Sequence, residues 1–560
     1  MSLPLLALLV LVILAVGYRF YGGFVARQYR LDPGATTPAV QINDGVDFVP
    51  TRPFYLLGQH FSAIAAAGPI AGPIMAGQQF GWLPSLLWIG LGVVFIGAVH
   101  DFSTLVASVR HGGKSIAEVV RSQLGRPAWL AMSVFIWLAL IYVIVAFTDV
   151  TASTFVSGDA DMQGIEFRFN PGGAVAMSAV LYLGLALLLG VVDRFLKPPL
   201  WLTTVIFVPA TLAAVWAGTR MSTVLLLDAP TWSVLILLYC FIASMTPVWA
   251  LLQPRGYLGG FVLYLALAAG VIGIFFGGFD VVQPAVNSDP PKGPTGALFP
   301  FLFVTIACGA CSGFHGLVCS GTTSKQIANE SHCTPVGYGA MLLEGFVAVI
   351  ALATVMIATS SELAGKAPGA VYGLGLGRFL AVAIGQDNLM FATTFGAMAF
   401  STFVFDTLDV SARLGRYILQ ELFGVQGRVS AILGTAVTCA IPLVFVLEAG
   451  PGAYRSFWTL FGTSNQLLAG LSLLGVSVWL KRSGRRYWYT LLPMLFIMTI
   501  TLWSLVLQVQ GAFATSGGWV QTANGAVAAL LLALASALIW FGGRALLEPS
   551  PAPAQTGLAA

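Results

Sequence analysis

The sequence predicts an all-α, polytopic membrane protein of about 15 transmembrane helices, with an inverted-repeat core that contains two discontinuous helices. Composition is the first ground: of 560 residues, 58% are hydrophobic and 9% charged, at a mean hydropathy of +0.88, which excludes a string of soluble domains. Apolar runs of about 18 to 25 residues, each able to cross roughly 30 Å of hydrocarbon as a helix, recur from end to end. Charge is the third ground. Twenty of the 26 lysines and arginines fall on one set of alternate loops and six on the other, the asymmetry expected when the richer set is cytoplasmic and the N-terminus outside.

In order, the runs fall at 3–21, 54–79, 82–109, 128–152, 174–192, 199–217, 230–250, 258–279, 297–320, 337–360, 388–410, 429–447, 456–480, 487–509 and 523–543. The first has no early basic cluster and no small-residue cleavage site before Tyr18, Arg19 and Phe20, so it reads as a retained span and not as a signal peptide. Residues 1–53 hold this helix and a cytoplasmic loop. Residues 54–280 form a first repeat and 281–543 a second, leaving 544–560, rich in Pro and Ala from Pro549, as a disordered cytoplasmic tail. Ser361 to Asn388 is Gly-rich and too interrupted for a span, and reads as an outer loop with a short surface helix. Five of the six cysteines (Cys240, Cys308, Cys311, Cys319 and Cys439) lie in apolar runs, which argues against a disulfide framework.

Two runs should break. The second contains Gly68-Pro69 and Gly72-Pro73 in mid-span. Each proline removes a backbone donor and clashes with the carbonyl four residues before it, and carbonyls freed at membrane depth need a partner or a cavity. A proline-kinked packing helix is the alternative. The ninth carries Gly309, Gly313, Gly316 and Gly321 among the hydroxyls Ser312, Ser320, Thr322, Thr323 and Ser324, which suits either a break or close packing through small residues. The charge pattern makes these two runs antiparallel. Interrupted helices at matching positions of two halves point to a transporter site at the midplane, where half-helix N-termini hold an anionic group and exposed carbonyls a cation.

Ionisable residues inside spans cost roughly 2.5 to 3.5 kcal/mol each at the helix centre and are therefore functional candidates. They are His60, His100, Asp101, Asp149, His315, Glu344, Asp406 and Asp409, with Arg413 close behind. Asp409 and Arg413, four apart, can pair on one helix. His100 and Asp101 suit an inner gate, a proton relay or a hydrogen-bonded structural pair, and Glu344 suits proton coupling. Thr402 is placed to complete a cation site with carbonyls of the second span, or to bond its own helix. The cluster Thr463-Ser464-Asn465-Gln466 fits interhelical hydrogen bonding. Cys308, Cys311, His315 and Cys319 would share one face of a continuous helix, but spread over roughly 16 Å they are too far apart for one tetrahedral ion. No metal and no cofactor is expected.

Asn43-Asp44-Gly45-Val46-Asp47-Phe48-Val49-Pro50-Thr51, the Gly68–Pro73 run, the Ala307–His315 run, Ser320-Gly321-Thr322-Thr323 and Thr407-Leu408-Asp409 through Arg413-Leu414-Gly415-Arg416 together resemble the carbon starvation protein A family, over about residues 15–510. Members look like relatives of the amino acid/polyamine/organocation superfamily, whose first and sixth core helices are broken. That superfamily's repeat has five helices, whereas the two breaks here are seven spans apart, so the resemblance requires inserted helices. Cys311 and Cys319 stand where other small residues are expected. The resemblance implies a multi-pass protein of the bacterial inner membrane that imports peptides or pyruvate, driven by the proton gradient, in cells short of carbon, with sodium as the alternative coupling ion. Its partners would be that small substrate, the coupling ion and membrane lipid, with no nucleic acid. Expected binding residues are Gly68, Pro69, Gly72, Pro73, Ser312, His315, Ser320, Thr322, Thr323 and Thr402, and expected coupling or gating residues are His60, Asp101, Glu344, Asp406, Asp409 and Arg413. The competing classes are a membrane-embedded metal or redox enzyme using the Cys/His stripe and a transport-inactive nutrient sensor. A transporter, not an enzyme, is the expectation.

Overall fold

The computed structural model describes residues 2–45, 47–156, 169–289, 296–514 and 518–549. From the N-terminus come α1 (Leu3–Tyr29), the pair α2 (Pro53–Ile64) and α3 (Gly68–Phe80), α4 (Trp82–Arg110) and the short amphipathic α5 (Ile116–Leu124). Then follow α6 (Arg126–Phe155), α7 (Pro171–Phe195), α8 (Leu200–Arg220), α9 (Ala229–Met245) and α10 (Leu252–Phe276). A second pair, α11 (Leu298–Thr305) and α12 (Gly313–Gly321), leads to α13 (Glu330–Met356) and α14 (Pro368–Ile384). The chain ends with α15 (Leu389–Phe423), α16 (Arg428–Ala449), α17 (Tyr454–Arg482), α18 (Trp488–Ala514) and α19 (Trp519–Leu547). Eleven helices among the described residues are long and apolar enough to cross a membrane. The other expected spans take the form of the two interrupted pairs, the 17-residue α9 and the 29-residue α17.

Burial separates centre from rim. The apolar window of α13 is 89% buried, against 28% for α8 and 33% for α1 and α19, so α13 is surrounded by helices while the others present Leu, Val and Trp side chains to hydrocarbon. Four residues of the expected tail, 544–547, continue α19 as helix, and 550–560 lie outside the described residues. The segment expected to be an outer loop with a short helix holds the 17-residue α14. It packs on α15, α10 and α13, and its Arg378 pairs with Glu362 in the connection before it.

Both expected breaks are present. Helix α2 ends where Ala65 leaves helical torsions (ψ 54°) and Ala66 N–H turns back to Ile64 O at 2.7 Å. The chain restarts at Gly68 with Pro69 in the first turn, where the missing N–H is no loss. Helix α11 ends where Ile306 leaves helical torsions (ψ 53°), and α12 begins at Gly313. The pairs run antiparallel: His60 meets Thr323, Gly309 packs against Pro69, and Gly72 against Thr305. A Cβ at Gly72 would lie 2.6 Å from the Thr305 carbonyl oxygen, so only glycine lets the two backbones touch there.

Candidate functional site

The unwound segment 306–312 leaves carbonyls and amides that a helix would have paired, and α17 supplies the partners. Trp458 Nε1 donates to Thr305 O at 3.1 Å and Gln466 Nε2 to Phe303 O at 2.8 Å. Asn465 Oδ1 accepts the Phe314 amide at 2.9 Å, while its Nδ2 reaches Ser312 Oγ at 3.1 Å and Cys308 Sγ at 3.1 Å. Asn465 thus caps α12 from another helix, because Ser312 at the N-cap makes no capping bond of its own. On the other flank, α4 carries a π-helical turn, Val93–Gly97. Gly97 there lies directly on the Ala310 carbonyl, with no space for a Cβ.

That turn delivers His100 and Asp101 to the base of α12. His100, Asp101 and Glu344 are 0% exposed and His315 1%. Asp101 Oδ1 accepts from His100 Nδ1 at 2.8 Å and Oδ2 from His315 Nδ1 at 2.9 Å. Both imidazoles therefore carry hydrogen on Nδ1, since a carboxylate only accepts. The consequence falls on the far side of the His315 ring, where Nε2 stands 3.2 Å from Glu344 Oε2. Without a further proton these are two acceptors facing each other in a sealed site. Neither Glu344 oxygen has an aligned hydrogen bond among the described residues. Asp101 from α4, His315 from the second half of a broken helix and Glu344 from α13 thus form a chain whose last contact is favourable only with a proton between His315 and Glu344.

His60, in α2, stands beside this chain. Its Nδ1 meets Thr323 Oγ1 at 2.9 Å and its Nε2 meets Cys319 Sγ at 3.7 Å. His60, Asp101 and Cys319 offer ligand atoms within 4.8 Å of one another, but the Asp101 oxygens are already taken by His100 and His315. The six cysteines are free and buried. The interruption at 306–312 also removes the single helical face that Cys308, Cys311, His315 and Cys319 would have shared.

The remaining expected residues lie elsewhere. Ser320 Oγ back-bonds to Gly316 O at 2.6 Å and accepts the Ile116 amide at 3.0 Å, tying α5 to α12. Thr322 Oγ1 back-bonds to Val318 O. Thr402 is far from the breaks in its bonding: its hydroxyl donates to Met398 Sδ at 3.1 Å, and its carbonyl accepts from Arg255 Nη2 at 3.1 Å. Asp149 accepts the Tyr454 amide at 2.5 Å and so caps α17, a structural task.

The pairing of Asp409 with Arg413 does not occur. Asp409 is bound by Arg255 Nη1 and by Tyr239 Oη at 2.7 Å, while Arg413 Nη2 donates to the carbonyls of Ala243 and Thr246 at 2.8 Å each. Arg413 therefore closes the C-terminus of α9, where a cation suits the helix dipole. Arg255, which the charge pattern placed with the loop cations, is 2% exposed. Its Nε lies 3.3 Å from Asp406 Oδ1, and its guanidinium covers the rings of Tyr239 at 5.6 Å and Phe405 at 5.3 Å. An arginine in the first turn of an apolar helix, rather than between helices, was the available signal for it.

At the end of the bundle where α1 finishes, Arg110 holds Glu330 through Nε and Nη2 at 2.8 and 2.9 Å, and Glu330 accepts the Asp32 amide at 2.9 Å. The motif 43–51 is clamped at the same end: Thr51 forms a bridge with Ile327, and Lys325 pairs with Asp47 at 3.6 Å.

A bundle of apolar helices with two interrupted, antiparallel helices meeting beside a buried acid–imidazole chain is the architecture of a multi-pass membrane transporter. The chain matches the family model described as carbon starvation protein CstA over residues 2–368 and 357–504, and it belongs to that family. It is 33% identical over 561 residues to the peptide transporter CstA of Campylobacter jejuni, covering 87% of this chain and 78% of that one. It is 31% identical over 588 residues to the pyruvate/proton symporter BtsT of Escherichia coli, covering 88% and 80%. Among solved structures, a manganese transporter of Eremococcus coleocola aligns at a TM-score of 0.44 and 13% identity, covering 90% of this chain and 99% of that chain.

Proposed function

We propose that this protein is a secondary active transporter of the bacterial inner membrane that imports small carbon sources, short peptides or pyruvate, by alternating access coupled to protons. The two halves, 54–280 and 281–543, act as inverted repeats whose broken helices meet at the substrate site. Relatives named for peptide transport and for pyruvate/proton symport support the substrate class.

One observation carries the coupling: His315 Nε2 stands opposite Glu344 Oε2 at 3.2 Å, while His315 Nδ1 is committed to Asp101. A proton entering this gap turns a repulsive contact into a charge-assisted hydrogen bond, and its departure restores the repulsion. His315 belongs to α12, so protonation acts directly on the half-helix bordering the break. The N-terminal ends of α3 and α12, which begin at Gly68 and Gly313, place the positive ends of two helix dipoles at the junction, which suits the carboxylate of pyruvate or of a peptide. Ser312, Pro69, Gly72 and Pro73 line the same junction, and His60 with Thr323 closes it toward Cys319. A proton fits better than a metal cation because the gap is bounded by a ring nitrogen, His315 Nε2, whereas hard cations take oxygen ligands.

Counterflow in proteoliposomes tests the reading. Labelled pyruvate or a labelled dipeptide should exchange against its unlabelled form, and Gly72→Val, which separates the two broken helices, should abolish the exchange. Absence of exchange for both substrates, or full exchange by Gly72→Val, would contradict it.

A further inference from the structure

The cluster around Arg255 contains two carboxylates and one guanidinium, and a guanidinium keeps its charge in proteins. With both carboxylates ionised, Arg255 is the one cation in contact with them, and Arg413 acts only on Asp409 from its place at the end of α9, so Asp406 is the acid left with the least compensation inside a span. The two acids are held unequally. Asp409, 2% exposed, takes the Arg255 Nη1 contact and the Tyr239 hydroxyl at 2.7 Å. Asp406 has only the Arg255 Nε contact at 3.3 Å, and its side chain is 25% exposed. Oδ1 of each acid is buried without a hydrogen bond among the described residues. The groups around Asp406 are Arg255 from α10, Tyr182 from α7, whose hydroxyl donates to the Arg255 carbonyl at 2.8 Å, and Asp409 one turn along α15. Tyr239 from α9 bonds Asp409, and the second guanidinium, Arg413 one turn beyond on α15, is engaged by the α9 carbonyls and acts on Asp409, so Asp406 has Arg255 alone.

We infer that Asp406 is a second proton-binding site, separate from His315, with Arg255 as its fixed counter-charge and Asp409 as the acid that stays ionised. A proton from water binds one oxygen of the Asp406 carboxylate to give the neutral acid, and leaves again to water on the other side of the membrane. No other atom changes hands. A metal cation is a poorer occupant because the Arg255 guanidinium, 3.3 Å from the carboxylate, would repel it. The site rests on the reading of the chain as a proton-coupled carrier and deepens it: each turnover carries two protons, one at His315 and one at Asp406.

The coupling number tests this. Full-length protein in proteoliposomes, with the membrane potential clamped at zero, is given a fixed pH difference, and the substrate gradient at which net flux reverses is read. One pH unit balances about a tenfold substrate gradient per coupled proton and about 100-fold for two. Wild type should reverse near 100-fold, Asp406→Asn near tenfold, and Asp406→Glu near 100-fold again. A wild type that reverses near tenfold, or an Asp406→Asn variant that still reverses near 100-fold, overturns the second site alone. Flux in the wild type that ignores the pH difference overturns the coupling at His315 as well. If Asp406→Asn carries no flux, infrared difference spectra on titration decide: loss of a protonated-carboxyl band relative to wild type supports the site, and an unchanged band refutes it.

Discussion

Two buried clusters in this protein share a plan, one basic side chain between two carboxylates, and differ in whether that side chain can lose its charge. At the centre, His315 stands between Asp101 and Glu344. At the periphery, Arg255 stands between Asp406 and Asp409. Imidazole titrates near neutrality and guanidinium does not. The central cluster can therefore change its internal repulsion with a single proton on the ring, and it sits on a half-helix that ends at a break. The peripheral cluster joins α10, α15 and α9 through a cation that keeps its charge, and only an acid can titrate there. The basic group in the membrane interior is thus titratable in one place and permanently charged in the other.

The largest expected effect follows from removing the permanent cation. Arg255→Ala leaves Asp406 and Asp409 buried without a positive partner, a change of about 3 to 5 kcal/mol, and should lower thermal stability in detergent sharply. Near-wild-type stability would show that the cluster is not cohesive. Arg255→His sharpens the contrast by making the peripheral cation titratable. Its stability relative to wild type should fall as pH rises past the ordinary imidazole range near 6.5.

A smaller effect, about 1 kcal/mol, is expected for Asn465→Ala, which uncaps α12 without touching either cluster. Unfolding should shift by that amount, and exchange rates should fall by less than about tenfold. The smallest concerns Glu362, outside the spans. Burial would raise its carboxyl, but Arg378 and the Thr359 amide and hydroxyl outweigh it and bring the group to about 2. A carboxyl lowered on folding stabilises above its unfolded value, near 4.5, and loses that contribution as pH falls toward 2. Because the pair is solvent-screened, Glu362→Gln should cost only about 0.2 to 1 kcal/mol at pH 7, and the difference from wild type should vanish as pH approaches 2.

Much of the central site was legible in the sequence because its signals are local. Gly-Pro pairs and clustered glycines mark broken helices through backbone chemistry alone, and an isolated His315 or Glu344 in an apolar run stands out without knowledge of its neighbours. The peripheral cluster was not legible in the same way. Arg255 lies at the first turn of α10 and counts as a loop cation by charge pattern, and the i, i+4 spacing of Asp409 and Arg413 suggests a pairing that helix α9 pre-empts with its open carbonyls. Partners across helices depend on which faces meet, and no spacing along one helix encodes that. The role of Asn465 was half legible: interhelical bonding was expected, but its position as the cap of a half-helix depends on where α12 restarts. Likewise α14 was expected as a short helix on a loop, and its 17 residues are built on glycines that lie against α15 and α13.

The central claim is that the proton lodged between His315 and Glu344 drives the broken helices. It is tested most directly by uphill accumulation of pyruvate and of a dipeptide in proteoliposomes under an imposed inward pH gradient, comparing wild type with His315→Gln. The account expects wild type to concentrate one of these substrates and to lose that ability when the gradient is collapsed, and His315→Gln to reach no more than equilibrium. Accumulation by His315→Gln equal to that of wild type would contradict it.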